Sequence, residues 1–177
     1  RGLSQADIDG AAGLGAGGGG AGVIGAKPVD VAEAGEDAED VGGGMFTRSR
    51  SSPVIANCLF SFNVQSGNPL GSGGGICNYG VGNGGGPCYP IITGCHFEGN
   101  VVTGDGGGLA CAYDTHPEVS DCSFIGNSAG RNGGGLACPG NLDPYFPSNP
   151  TVTDCLFKHN TAAAYGGAIH SRASEPM

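Results

Sequence analysis

The sequence predicts an all-β chain wound as a right-handed parallel β-helix of about four to five rungs. Three observations predict it. Phe-x-x-Asn recurs four times, at Phe60 and Asn63, Phe97 and Asn100, Phe124 and Asn127, and Phe157 and Asn160. A cysteine stands two residues before each Phe, at Cys58, Cys95, Cys122 and Cys155. A glycine pair or triplet follows each copy and runs into an aliphatic residue: Ile76, Leu109, Leu136 and Ile169. Self-similarity at one period means a supersecondary unit stacked on copies of itself. The aliphatic residues, counted from Met45, step by 31, 33, 27 and 33 positions, so the interval of 27 is the least interrupted repeat.

Each unit opens on Pro-x-[Val/Ile], at Pro53, Pro90, Pro117 and Pro150. Proline suits the start of a strand, where its missing N–H does least harm. The Val or Ile lies three residues before the Cys, which breaks a period of two. The break falls on Asn57, Gly94, Asp121 and Asp154, residue types that tolerate a left-handed backbone. A bend there returns the aliphatic side chain to the interior. Cys and Phe are two apart and share one side of the next strand.

Asn63, Asn100, Asn127 and Asn160 are expected at a second corner, left-handed in the same way. Stacked rung on rung, their amides can form a ladder. Asp would stack like charges, and this column is pure Asn. The glycines permit close backbone approach and the aliphatic residue supplies the next inward side chain. Each repeat thus reads as three short strands, two tight corners and one variable connection. The connections span 78–89, 112–116 and 139–149. Insertions of repeat proteins collect on one side, often the binding side.

Composition sets further bounds. Among 177 residues there are 38 Gly, no Trp and 7% aromatics, so the core must be slender, built from Cys, Phe, Val, Ile and Leu. No Gly-X-Y period runs through the chain, which excludes a triple helix. The net charge of −9 argues against nucleic acid and anionic membranes as partners. Half of the 16 acidic residues precede Val41. Residues 1–40 read as a Gly/Ala-rich, then acidic, leader or as degenerate rungs. Residues 41–177 read as the repeats, with Gly42, Gly43, Gly44 and Met45 a fifth glycine motif. No run reaches the ~18 apolar residues of a membrane helix, so no membrane span is expected in this segment. The chain reads as a piece of a longer protein.

Phe157 and Asn160, followed by Gly166, Gly167, Ala168 and Ile169, carry Phe-x-x-Asn and Gly-Gly-Ala-Ile in order. In this the chain resembles the polymorphic outer membrane protein repeat of chlamydial surface proteins. The wider pattern, over 42–170, is similar to right-handed β-helix repeat proteins of pectin-lyase-like fold. The resemblance implies a passenger-type surface β-helix, often adhesive, without catalytic residues. The chain departs from it in having Gly-Gly-Gly in four of five glycine motifs and no transporter barrel.

Eight cysteines raise metal and disulfide chemistry. No Cys-x2-Cys pair is present, so no metal or other cofactor is expected. Cys58, Cys95, Cys122 and Cys155 read as a buried thiol ladder, with Phe60, Phe97, Phe124 and Phe157 beside it. Cys111 and Cys138 form a second stack. Cys77 and Cys88 flank a loop that a disulfide could close. Glu98, Asp105, Asp114, Glu118 and Asp143 could meet on adjacent rungs, as paired carboxylates of a glycosidase would, but they read first as solvated loop acids. His96 should face outward, and His159 and His170 are isolated. Ala56, Thr93, Ser120 and Thr153 make an outward column.

The expected function is a non-enzymatic extracellular or cell-surface scaffold that binds a glycan or a protein. The expected contact residues are Tyr89, Asp143, Tyr145 and Phe146 in the variable loops. The alternatives are a polysaccharide lyase or glycoside hydrolase with catalytic rungs outside or at the edge of this segment, and a pure spacer.

Overall fold

The computed structural model describes residues 43–48, 52–66, 72–80, 87–139 and 148–172. Asp143, Tyr145, Phe146 and all of 1–40 lie outside the described residues.

An opening strand β1 (Met45–Arg48) precedes four rungs of four strands each. The first rung holds β2 (Val54–Ala56), β3 (Leu59–Ser61), β4 (Val64–Gln65) and β5 (Ile76–Tyr79). The second holds β6 (Ile91–Thr93), β7 (His96–Glu98), β8 (Val101–Val102) and β9 (Leu109–Ala112). The third holds β10 (Glu118–Ser120), β11 (Ser123–Ile125), β12 (Ser128–Ala129) and β13 (Leu136–Pro139). The fourth holds β14 (Thr151–Thr153), β15 (Leu156–Lys158), β16 (Thr161–Ala162) and β17 (Ile169–Arg172). Equivalent strands pair in parallel into four sheets, in the orders β1-β5-β9-β13-β17, β2-β6-β10-β14, β3-β7-β11-β15 and β4-β8-β12-β16. Each rung therefore has four strands, not three. The extra strand is the two-residue piece after each Asn, whose inward residue is Gln65, Val102, Ala129 or Ala162.

The first corner is left-handed at Asn57 (φ 54°), Gly94 (62°), Asp121 (52°) and Asp154 (50°). The thiol that follows closes it. Cys58, Cys95, Cys122 and Cys155 donate from Sγ to the carbonyls of Ala56, Thr93, Ser120 and Thr153, at 3.2, 3.4, 3.1 and 3.1 Å. At the second corner the left-handed residue is the one before the Asn: Phe62 (φ 54°), Gly99 (63°), Gly126 (64°) and His159 (56°). This corrects the expectation that Asn itself takes that conformation. A bulky Phe at positive φ is unusual. Its ring lies where a Cβ on Gly99 of the next rung would be, so the glycine makes the room.

With the bend displaced by one residue, the Asn side chains turn inward. Asn63, Asn100 and Asn127 are fully buried. Nδ2 of each donates to Oδ1 of the next, at 2.8, 2.9 and 3.0 Å along the series 63, 100, 127, 160. The backbone N–H of each donates to the same oxygen, at 3.1, 3.0 and 2.9 Å. The second Nδ2 hydrogen of Asn100, Asn127 and Asn160 goes to Phe60, Phe97 and Phe124 O on the preceding rung, at 2.9, 2.9 and 2.8 Å. Asn100 and Asn127 thereby satisfy both donors and use Oδ1 twice, which a buried amide needs.

The core lies between the four sheets. Its columns are Ile55, Ile92, Val119 and Val152; the ladder cysteines; the ladder phenylalanines; and Met45, Ile76, Leu109 and Leu136. The Phe rings stack with centroids 5.2, 4.6 and 4.7 Å apart and interplanar angles of 10°, 2° and 1°. The glycine strands lie close to their neighbours. A Cβ on Gly107 would collide with Gly134 O.

Cys111 and Cys138 are buried in the core cluster. Their column starts polar, since Asn78 Nδ2 reaches Cys111 Sγ at 3.6 Å and Thr47 Oγ1 donates to Asn78 Oδ1 at 2.5 Å. Cys77 and Cys88 are fully buried thiols, and no disulfide closes the loop between them. Cys88 Sγ turns instead to Tyr79 O, at 3.9 Å. Cys77 pairs in register with Ala110, and its Cβ lies where a Cβ on Gly73 would collide with it. Burial pushes its pKa well above the ordinary thiol value. Cys138 is raised by its hydrogen bond with Cys111 and by burial, and Cys122 by its bond with Cys95 and by burial.

Candidate functional site

The residue before each opening proline forms an outward column: Ser52, Tyr89, His116 and Asn149. A pre-proline residue is biased to extended geometry, so these four take equivalent positions on successive rungs. Tyr89 N–H donates to Ser52 Oγ at 3.1 Å, and His116 N–H to Cys88 O at 2.8 Å. The Tyr89 and His116 rings stack with centroids 5.3 Å apart and 23° between planes. Tyr89 is 55% exposed.

A second column runs beside the first, through Ile91, Glu118 and Thr151, with buried Pro90 and Pro117 between the two. Together they line a groove of about 330 Å3 that crosses the second, third and fourth rungs along the solenoid axis. Rungs succeed one another at about 4.8 Å.

The turn that presents His116 is strained. Tyr113 (φ 56°) and Asp114 (φ 58°) are consecutive left-handed residues that are not glycine. Tyr113 is clasped by Tyr79, ring centroids 4.5 Å apart. Thr115 is buried and anchors the turn at two points: its Oγ1 donates to Ala112 O at 2.8 Å, and its N–H donates to Ser148 Oγ at 3.4 Å. The result places Asp114 Oδ1 3.0 Å from His116 Nε2. The carboxylate fixes the imidazole face against the Tyr89 ring.

The acids read from the sequence are dispersed. Asp105 is only 5% exposed and belongs to the scaffold: its Oδ1 accepts from Asn132 N–H at 3.0 Å and Nδ2 at 2.8 Å, and Arg131 lies 3.6 Å from Oδ2. Glu98 is exposed on β7, in a different sheet from Glu118 on β10. Of the acids singled out that the structure describes, Asp114 and Glu118 reach the side that bears the groove. His96 faces outward as its position between Cys95 and Phe97 predicts, and its Nδ1 lies 2.6 Å from Ser123 Oγ on the neighbouring strand. His159 occupies a corner, and His170 faces Tyr165 at 6.2 Å. In the outward column Ser120 Oγ donates to Thr93 Oγ1 at 3.0 Å. Among the described residues no group of three or more His, Cys, Asp and Glu is placed to hold a metal ion.

Sequence reasoning named Tyr89 but not His116 or Asn149. The available signal was the alignment on the opening prolines, which sets Ser52, Tyr89, His116 and Asn149 in one column.

Fold and groove define a class: a parallel β-solenoid with a solvent-facing axial groove on its loop side. The chain belongs to the right-handed β-helix region family, whose model matches residues 40–175. No curated protein and no solved structure matches it. Among the described residues no helix is long and apolar enough to cross a membrane.

Proposed function

We propose that this chain is a non-enzymatic binding segment of an extracellular or cell-surface protein, built from polymorphic-outer-membrane-type repeats on a pectin-lyase-like β-helix. The observation that carries the proposal is the exposed Tyr89 ring, stacked on His116 in a column that does not repeat its chemistry. The repeated side chains are occupied in the core and in ladders. Ordered aromatic faces beside polar groups are what a binding surface needs.

Immobilised chain tests this. Saturable retention of cells or cell-surface extract that Tyr89→Ala reduces is the expected result. Retention unchanged by Tyr89→Ala contradicts it. The alternative, a carbohydrate-active enzyme, draws on the Asp114–His116 pair beside Glu118 in the groove. Pectin and alginate incubated with the chain should release no unsaturated or reducing ends. Turnover lost in Glu118→Gln would establish the enzyme instead.

A further inference from the structure

We propose that Cys95 and Cys122 form a two-coordinate site for a soft monovalent metal ion of the Cu(I) class, held between thiolates on successive rungs of the cysteine ladder. The site lies in the core and does not depend on the surface role proposed above. No Cys-x2-Cys pair is needed, because the two ligands come from equivalent positions 27 residues apart.

Spacing decides what can join the two sulfurs. Backbone pairing fixes the rungs on both sides of them: Val119 is in register with Ile92 and Ser123 with His96, and Ser123 N–H donates to Cys95 O at 2.9 Å. The thiols occupy equivalent places. Cys95 Sγ lies 3.4 Å from Thr93 O and 3.5 Å from Ile55 O, and Cys122 Sγ lies 3.1 Å from Ser120 O and 3.6 Å from Ile92 O. The sulfurs are therefore one rung apart, about 4.8 Å. A disulfide needs sulfurs about 2.05 Å apart and Cβ atoms about 3.8 Å apart, closer than paired strands allow. A metal–thiolate bond is about 2.3 Å, so two in line span about 4.6 Å and bridge the rungs without moving them.

The surroundings suit thiolates. Each sulfur of the pair receives a backbone N–H from the preceding ladder cysteine, Cys58 onto Cys95 Sγ and Cys95 onto Cys122 Sγ, the latter at 3.4 Å. Such donors stabilise the charge that metal binding leaves on sulfur. Binding breaks two S–H bonds, forms two sulfur–metal bonds and releases both protons to solvent. Loss of those protons orphans no acceptor, because Thr93 O and Ser120 O keep the N–H groups of Asn57 and Gly94 at 2.9 and 3.0 Å.

Ligand number and softness give the class of ion. Thiolates select soft metals. The core cluster that holds the pair is otherwise aliphatic, aromatic or thiol, and among the described residues no third His, Cys, Asp or Glu is placed to join it. Structural zinc takes four ligands and fails on number, whereas a soft monovalent ion is satisfied by two thiolates in line. Cys95 and Cys122 are the middle pair of the ladder, both buried, with a complete rung on each side. Cys111 and Cys138 offer a poorer site: Asn78 Nδ2 already reaches Cys111 Sγ at 3.6 Å, and the register of β9 with β13 stops at Ala110 and Ala137.

Titration of the reduced full chain with Cu(I) and, separately, with Ag(I) tests the proposal, on the folded chain and during refolding from urea. One ion per chain is expected, with thiolate-to-metal absorbance in the ultraviolet and a raised melting temperature. X-ray absorption at copper in the wild-type chain should show two sulfur neighbours and no nitrogen or oxygen. Cys95→Ser and Cys122→Ser should each abolish the absorbance with circular dichroism unchanged, while Cys58→Ser, Cys155→Ser and Cys138→Ser keep it. Absence of uptake by both routes, or a copper environment of three or more ligands, overturns the two-coordinate site. Uptake that survives in Cys95→Ser or Cys122→Ser and is lost in one of the other three variants places the ion elsewhere and overturns the assignment.

Discussion

Asn127→Asp exchanges one buried group for its isostere and isolates the amide ladder. Asn127 is fully buried. Its Nδ2 donates to Asn160 Oδ1 at 3.0 Å and to Phe97 O at 2.9 Å, while Oδ1 accepts from Asn100 Nδ2 at 2.9 Å and Asn100 N–H at 3.0 Å. A carboxylate keeps the accepting side and loses both donors. Two lost hydrogen bonds cost about 1 kcal/mol each, and the acceptors left facing an oxygen add roughly 1–3 kcal/mol. Burying the charge adds several kcal/mol more. The sum, on the order of 5 kcal/mol or above at neutral pH, rivals the whole stability of an ordinary domain. Protonation relieves it, because an acid O–H can donate to one of the two acceptors. The folded-state pKa of the introduced carboxyl must therefore lie above its unfolded value of about 3.9. The penalty is then smallest below that unfolded value and grows as pH rises, levelling off above the folded one. Urea titrations of wild type and variant at pH 4, 5, 6 and 7 measure it. A deficit under about 1 kcal/mol at pH 7, or one that does not change with pH, would refute the ladder as a stabilising device.

Three further outcomes are expected. Phe124→Ala removes a fully buried ring stacked on both sides at 4.6 and 4.7 Å and should cost about 3–5 kcal/mol in denaturant; a near-neutral result would contradict the inward assignment. Asp121 sits at φ 52° on an exposed corner, so Asp121→Ala should lose about 1 kcal/mol while Asp121→Gly loses less or gains; equal effects would mean that the corner imposes no strain. Cys77 and Cys138 have raised pKa values in the folded state, so stability should be intact below the unfolded thiol value of about 8.5 and fall above it, by up to ~1.4 kcal/mol per pH unit per thiol. Cys77→Ala matches Ala110 beside it in register and should flatten the fall in melting temperature between about pH 8 and 10; an unchanged slope would remove Cys77 from the account.

The register of this fold is legible because stacking puts like on like. Phe60, Phe97, Phe124 and Phe157 are direct neighbours in their sheet, and so are Ile55, Ile92, Val119 and Val152. The fourth strand was not legible, since two residues carry no period and its inward column mixes Gln65, Val102, Ala129 and Ala162. The placement of the second corner also escaped. Phe62 and His159 adopt positive φ against their own preference, and at Phe62 the room for the ring comes from Gly99 of the next rung rather than from the local sequence. Half of the groove escaped for a related reason. His116 takes its position from a strained turn whose neighbours, Tyr79 and Ser148, lie 37 and 32 residues away in sequence.

Inside and outside obey different constraints. In the amide and ring ladders an inward residue matches the residue above and below it, because an amide needs an amide and a ring packs on a ring at one rung spacing. An outward residue has no such obligation. On β2, β6, β10 and β14 the first outward position runs Val54, Ile91, Glu118, Thr151, and on β3, β7, β11 and β15 it runs Leu59, His96, Ser123, Leu156. The first rung also exposes Phe62 and Val64, where later rungs carry Gly99, Gly126 and His159, or Val101, Ser128 and Thr161. Surface chemistry thus changes from rung to rung while the Asn, Cys and Phe ladders do not. Tyr89, His116 and Glu118 line the groove and belong to no ladder, and Asn127 belongs to the amide ladder and does not line the groove. Because the two sets share no side chain, binding and folding should respond to mutation independently, and a double variant Tyr89→Ala with Phe124→Ala should show additive free energies.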